Sequence, residues 1–317
     1  MVGRMITVAG LTPSVDLTYV VEHLELGRIH RPTEVVRRAG GKPLNFARAA
    51  ATLGADVSIV AVLGGWTGDW LADELTQAEI TVHRVNTPAL TRTCVSIADD
   101  SGELTELYEY AEPIPSEVWA AAREALTAEL ADRPGWLVIS GGPPRGLPPN
   151  GLAELAELAH HAGRKVAVDT HGASLVPLLH SHPELVKINR VEAAQVLGID
   201  PATDLAELAH GVQAKSGGIV VLTDGAAGSV GLSPDGQTYA VAAPELRGRF
   251  PVGSGDSYLA GLLTRLDQGD DLGSALRLAT AAGVANAQVP GPGSFDRDLV
   301  TRLSSEVTVQ PTSTPHH

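Results

Sequence analysis

A lone carboxylate follows a serine bracketed by two glycines in Val252-Gly253-Ser254-Gly255-Asp256-Ser257. The glycines let backbone N–H groups crowd toward a ligand, because no Cβ stands in the way. Leu259, Leu262, Leu263 and Leu266 come next at helical spacing, which predicts a helix with Asp256 near its N-terminus. Bare N–H groups and the helix dipole favour an anion at that end. An anion cradle beside one base is what phosphoryl transfer to a hydroxyl requires: the base takes the hydroxyl proton and the cradle holds the moving charge. Two other readings compete. Ser254 or Asp256 could act only as a helix cap. Ser257 could be a hydrolase nucleophile, but that chemistry needs a general base, and the only later histidines are His316 and His317 in a polar terminus.

A second cluster lies near the N-terminus. Gly40-Gly41-Lys42-Pro43-Leu44-Asn45 opens a predicted helix with apolar Leu44, Ala47, Ala51 and Leu53, closed by Gly54. Bare N–H groups beside Lys42 suit an oxygen-rich ligand. Elsewhere, polar residues stop apolar runs: Asp16, Ser140, Asp169, Asn189 and Thr223. Glu192 stands three residues after Asn189, the spacing of a capping pair. There is no Gly-x4-Gly-Lys-Ser/Thr loop, and Gly225 and Gly228 do not complete a dinucleotide fingerprint. His160, His161, His180 and His182 lack the spacing of metal ligands, so no zinc site is expected.

These residues need a scaffold. Apolar runs predict strands at Met5–Gly10, Val57–Leu63, Ile80–Val85, Trp136–Ile139, Val166–Val168, Leu185–Ile188 and Ile219–Thr223. Helical patterns fall between them, including Ser116–Ala131 capped at Ser116, Gly151–Ala162, Ala173–His180 and Leu205–Ser216, with Leu272–Ala287 beyond. The alternation implies an α/β fold whose mostly parallel sheet is covered on both faces. Its sites gather at the strand C-terminal ends, where the polar stops fall. Two predicted hairpins interrupt the alternation. Leu17–Val21 pairs with Arg31–Val36, and Thr91–Ala98 pairs with Glu103–Tyr110 around the turn Asp99-Asp100-Ser101-Gly102. A third hairpin joins Ser229–Leu232 to Thr238–Ala242. Trp66 and Trp70 read as core contacts, and a polar tail is expected from Ser304.

Composition narrows the partners. The chain has 317 residues, 23 Lys+Arg against 37 Asp+Glu, and a formal charge of −14. That balance argues against nucleic acid, so a phosphorylated ligand must find a local basic pocket. Cys94 is the only cysteine, which excludes an internal disulfide and suits a reducing compartment. No apolar run approaches the ~18 residues of a membrane span, and the N-terminus lacks a signal-peptide profile. A cytoplasmic protein without membrane partners is expected.

Taken in order, these motifs resemble the ribokinase-like PfkB carbohydrate kinases, in particular the 1-phosphofructokinase and tagatose-6-phosphate kinase branch. The resemblance runs from about Met5 to Leu303. Gly40-Gly41-Lys42-x-x-Asn45 with Gly54 and Gly64 is similar to the first family signature, and Val252–Ser257 to the second. Lys187-x-Asn189-x-x-Glu192 and Thr223-x-Gly225-x-x-Gly228 are similar to the motifs between them. The resemblance implies a three-layer α/β/α fold, one domain over 1–311, with a small inserted β-lid from about 12–37 and 90–110 and a tail at 312–317. It implies Asp256 as base and the N–H groups of Gly253, Ser254 and Gly255 as anion hole. Glu192, with Asn189, would organise Mg²⁺ through water. Thr223, Gly225 and Gly228 would lie along ATP, with Asn286 near its base. Asp16, Gly40, Gly41, Asn45 and Ser140 would line the sugar. Lys42 and Arg92, with Arg28 on the lid, would meet a phosphate on the substrate. A homodimer through the lid is implied as well.

Departures from the family pattern gather on the sugar side: Thr12-Pro13-Ser14-Val15-Asp16, Pro43 after Lys42, Gly142-Pro143 after Ser140-Gly141, and Ile188 before Asn189. Pro43 removes an N–H that a sugar could have used. The expected activity is ATP-dependent phosphorylation of a phosphorylated ketohexose. The alternatives are a kinase of an unphosphorylated sugar or nucleoside, and a sugar-phosphate sensor without turnover.

Overall fold

The strands that read as continuous apolar runs form the middle of one sheet. The structure, a computed structural model, describes residues 3–312. In chain order the elements are β1 (Met5–Gly10), β2 (Ser14–Val20), β3 (Glu34–Gly40), α1 (Lys42–Thr52), β4 (Val57–Leu63), α2 (Gly65–Gln77), β5 (Thr81–Asn86), β6 (Thr93–Ala98), β7 (Leu104–Tyr108) and α3 (Ser116–Leu130). They continue with β8 (Gly135–Ser140), α4 (Gly151–His161), β9 (Lys165–Asp169), α5 (Leu175–His180), β10 (Leu185–Asn189), α6 (Arg190–Leu197), α7 (Leu205–Ser216) and β11 (Ile219–Thr223). The last are β12 (Ser229–Leu232), β13 (Thr238–Ala242), α8 (Ser254–Gln268), α9 (Leu272–Asn286), α10 (Arg297–Glu306) and β14 (Thr308–Thr312).

The large sheet runs β14-β13-β12-β11-β10-β9-β8-β1-β4-β5. From β5 to β11 every pairing is parallel, and β12, β13 and β14 add antiparallel pairs at one edge. Burial on both faces explains why β1, β4 and β8 show no polar alternation. Trp136 and Val138 point into the layer packed by α1, α2, α8, α9 and α10. Leu137 and Ile139 point into the layer packed by α3, α4, α5 and α7. The result is three layers, α/β/α. No helix among the described residues is long and apolar enough to cross a membrane.

The two interrupting hairpins form one separate sheet, ordered β3-β2-β6-β7. β2 pairs antiparallel with β3 and parallel with β6, and β6 pairs antiparallel with β7. Register puts Arg38, Asp16, Cys94 and Tyr108 in one row across it. The tip of the β6–β7 turn is fastened to the loop before α8: Arg249 donates to Asp99 O (3.1 Å) and pairs with Asp100 (2.9 Å).

Three local expectations are corrected. Helix α3 takes Pro115 as its N-cap, because the extended backbone of Pro115 already fits that position. Ser116 is its first helical residue. Trp66 sits in the first turn of α2 with 72 % of its surface exposed, whereas Trp70 packs against the core. The segment after Ser304 is not a tail up to Thr312. Helix α10 runs to Glu306, and Thr308–Thr312 pairs with β13 through its backbone, which needs no apolar side chains. The remaining tail residues, 313–317, lie outside the described residues.

Candidate active site

Ser140, Asp169, Asn189 and Thr223 end four adjacent parallel strands; Ser140 stands beside Asp169 and Asn189 beside Thr223. Helix α8 aims its N-terminus at the same end of the sheet. Its N-cap is Gly253, held in the left-handed region at φ 82°, and no side chain caps it. The capping role considered for Ser254 and Asp256 is therefore not taken up. Ser254 N–H donates to Pro251 O (3.1 Å). The N–H groups of Gly253 and Gly255 find no partner among the described residues. Of the three groups expected in the anion hole, two are open.

Asp256 stands in the first turn of α8, 4 % exposed. Asn45 Nδ2 donates to Asp256 Oδ2 (3.1 Å) and lies 3.5 Å from Asp16 Oδ2. One amide on α1 thus bridges two buried carboxylates, one on helix α8 and one on strand β2 of the small sheet. Asp16 Oδ1 also accepts from Ser14 Oγ (2.6 Å), and Asp16 Oδ2 from Gly41 N (3.2 Å). Gly40 makes this possible, since a Cβ there would lie about 2 Å from the Asp16 carboxyl. Burial pushes the Asp16 carboxyl above the ordinary value. Burial likewise raises Asp256 to about 6, against the pull of Lys42 and Lys187 and with the push of Asp169.

Sequence reasoning left Asp169 and Lys187 without a role. Asp169 is fully enclosed, and Lys42 Nζ and Lys187 Nζ grip its two oxygens at 2.6 and 2.9 Å. Burial works against its charge, but the two ammonium groups hold it down at about 2. Lys42, raised above its ordinary value by Asp169 despite burial, is thus committed to this carboxylate. Lys187 Nζ also lies against the anion-hole loop, 2.9 Å from where a Cβ on Gly255 would stand. The available signal was Asp169 as an acid closing a buried strand, with Lys187 as the lone charge inside another.

Asn189 and Glu192 form a complete capping box on α6: Glu192 N donates to Asn189 Oδ1 (2.9 Å) and Asn189 N to Glu192 Oε2 (2.8 Å). Thr223, Gly225 and Gly228 line the turn from β11 to β12, beside the Arg190–Asp224 pair (2.9 Å). Arg92 donates to Glu109 O (3.0 Å) and Thr12 O (3.5 Å). Among the described residues Arg28 pairs only with Glu25 (3.3 Å), on an exposed loop. Asn286 is fully buried, and its amide bonds to the protein on every side. It was expected near the nucleotide base, but its amide is left with no free donor or acceptor to offer one.

Ten buried polar atoms find no partner among the described residues, and three of them, Asn45 Oδ1, Ser140 Oγ and Arg92 Nε, belong to residues expected at the sugar site. Buried donors and acceptors are normally satisfied, so these three can take bonds from a polar ligand, whereas the other seven belong to residues outside the expected site. The model of the pfkB family carbohydrate kinases matches residues 4–298. The chain belongs to that family.

As a pfkB kinase it is an enzyme, a sugar kinase, and its fold is ribokinase-like. Phosphofructokinase-2 of Escherichia coli superposes with a TM-score of 0.87 at 25 % identity, over 96 % of this chain and 99 % of that one. A possible 1-phosphofructokinase of Thermotoga maritima gives 0.88 at 20 % identity, over 98 % and 100 %. A protein of Agrobacterium tumefaciens assigned as a ribokinase gives 0.78 at 16 %, over 96 % and 98 %. The site does not suit a hydrolase in this pfkB kinase. Ser257 is fully buried and donates its hydroxyl to Asn286 (3.1 Å), with no histidine on it among the described residues.

Proposed function

We propose that the chain transfers the γ-phosphoryl group of ATP to a hydroxyl of a phosphorylated ketohexose, as in the 1-phosphofructokinase or tagatose-6-phosphate kinase type. One observation carries the reading: a buried carboxylate with a raised pKa, Asp256, beside open N–H groups at an uncapped helix N-terminus. Asp256 takes the hydroxyl proton as the new O–P bond forms and the bond to the ADP leaving oxygen breaks. The N–H groups of Gly253 and Gly255 and the Lys187 ammonium stabilise the charge on the transferring group. Asp16, Asn45 and Ser140, with the backbone at Gly40 and Gly41, hold sugar hydroxyls, as the unpartnered Asn45 Oδ1 and Ser140 Oγ support. Thr223, Gly225 and Gly228 flank the nucleotide.

Among the described residues, no group of three or more His, Cys, Asp or Glu side chains gathers as a metal cage. Mg²⁺ keeps most of its water and leans on one or two carboxylates plus substrate phosphates. Glu192 supplies such a carboxylate, with one oxygen already in the capping box. When bound, Mg²⁺ neutralises charge on the nucleotide phosphates.

Arg92 is the cation assigned to the substrate's own phosphate, since its buried Nε has no partner. Arg28, on the exposed loop of the small sheet, is the more distant candidate. Lys42 grips Asp169 as Lys187 does, but it is Lys187 that lies against the anion-hole loop, so Lys42 contributes less than its sequence position suggests. That commitment favours, as the second reading, a kinase of an unphosphorylated sugar. The face of the small sheet opposite Asp16 carries Leu17, Tyr19, Val95, Ile97, Val35 and Leu107. Val35 and Leu107 are exposed there, which supports a homodimer through this lid. The buried single Cys94 suits a cytoplasmic setting.

The test is ATP-dependent phosphorylation of fructose 1-phosphate and tagatose 6-phosphate against the free ketoses, with wild type and Arg92→Ala. Wild type should strongly prefer the phosphorylated sugar, and the variant should lose most of that preference, about 2–4 kcal/mol for a buried charge-assisted contact. Preference for the free sugar, or a ratio untouched by Arg92→Ala, moves the assignment to the second reading.

A further inference from the structure

Asn286 is the last residue of α9, and three segments meet at its carboxamide. Nδ2 donates to Val252 O (2.8 Å) and lies 3.5 Å from Phe250 O and 3.3 Å from Ser254 Oγ. Oδ1 accepts from Gly293 N (2.8 Å) and Ser257 Oγ (3.1 Å). The two carbonyls can only accept and the Gly293 N–H can only donate, so the network fixes which amide atom is which. Every hydrogen-bonding position of the amide is thereby used inside the protein.

What it fastens is the reaction site. Phe250 to Ser254 is the run that carries Gly253 and leads into Gly255, and Ser257 belongs to the same helical turn as Asp256. Gly293 packs against Asn45, with a Cβ on Gly293 falling 2.6 Å from Asn45 O. The Pro292–Gly293 step also lies against Gly253, where a Cβ would stand 2.6 Å from Pro292 Cβ. So the loop around Gly293 is wedged between the anion-hole loop and the helix that bears Asn45. One amide holds both sides of that wedge. The run's other backbone ties among the described residues are Phe250 N to Ala287 O, Ser254 N to Pro251 O and Ser257 N to Gly253 O.

We infer that Asn286 is a positioning residue for phosphoryl transfer: it touches no substrate and sets the placement of the open N–H groups relative to Asp256 and Asn45. The inference rests on the kinase reading above. Small displacements of reacting groups are costly; about 1 Å can cost on the order of 10²-fold in rate. Asn286→Asp keeps the oxygen that accepts from Gly293 and Ser257 but turns a second oxygen toward two carbonyls. Asn286→Ala removes every bond.

The experiment is steady-state phosphorylation of the preferred sugar by wild type, Asn286→Asp and Asn286→Ala, with circular dichroism and ADP binding on the same samples. The expected result is a kcat about 10- to 100-fold lower in folded protein, with both KM values within about 3-fold and ADP affinity unchanged. A kcat equal to wild type overturns the inference. A loss confined to the KM for ATP also overturns it, because Asn286 would then be a nucleotide contact. If neither variant folds, Ser257→Ala removes one bond only; a kcat about 3-fold lower at constant KM supports the inference, and an unchanged kcat overturns it. A wild type that phosphorylates no sugar at all strikes the kinase reading, and this inference with it. An active wild type with an indifferent Asn286 strikes this inference alone.

Discussion

Lys42 Nζ lies 2.6 Å from Asp169 Oδ1, so the lysine that opens α1 is pinned across the site to the end of β9. Lys187 takes the other oxygen of the same carboxylate at 2.9 Å. Two ammonium groups around one fully enclosed acid tie α1, β9 and β10 together just below the transferring phosphoryl group in the proposed mechanism.

Asp169→Asn should therefore destabilise the fold. Removing one partner of a buried charge cluster leaves uncompensated charge, which costs about 3–5 kcal/mol. The sign with pH follows from the direction of the shift. The folded pKa is depressed, from 3.8 to about 2, so the stabilisation is present above pH 4 and is lost as pH falls through that window. Urea denaturation should show a gap between wild type and variant that is constant from pH 8 to 5 and narrows below pH 4. A gap under about 1 kcal/mol at pH 7 contradicts the cluster's importance.

The acid limb of the rate profile should belong to Asp256. Its carboxyl is held up at about 6 by burial, and only its charged form can accept a proton. Log kcat/KM should rise with slope one as pH increases to about 6 and then level off. The limb should be absent from whatever activity remains in Asp256→Asn. A limb centred near pH 4 would mean that Asp256 is solvated during turnover.

The alternation of apolar runs and helical patterns was enough to place the parallel strands, because strands buried on both faces have no other way to read. The polar stops at Ser140, Asp169, Asn189 and Thr223 were visible for the same reason. What stayed hidden depends on contacts between distant segments. Nothing local says that Lys42 reaches Asp169 across 127 positions of sequence, or that Asn286 folds its amide inward rather than toward a ligand. Strand β14 was missed because Thr308–Thr312 adds its backbone to a sheet edge and its side chains stay largely exposed. Trp66 misled because an aromatic in an amphipathic turn reads as core unless its phase against the sheet is known.

Glu192→Gln should raise the Mg²⁺ concentration needed for half-maximal rate, on the order of 10-fold, with a lower kcat. The substitution is a clean one, since glutamine also serves at the third position of a capping box. The bond from Asn189 N can persist while the charge is removed, and the melting temperature should hardly move. Titrating Mg²⁺ at fixed ATP decides the matter. If the Mg²⁺ requirement is unchanged, Asn189 and Glu192 are a helix cap and nothing more.

The most direct test is kcat for Asp256→Asn with the preferred sugar. The amide keeps the shape of the carboxylate and can still accept from Asn45 Nδ2, so ATP and sugar should bind with nearly unchanged KM. A base that acts in the transition state contributes at least ~10²-fold, and kcat should fall by that much or more. A variant that turns over within a few fold of wild type would contradict the assignment of Asp256 as the base.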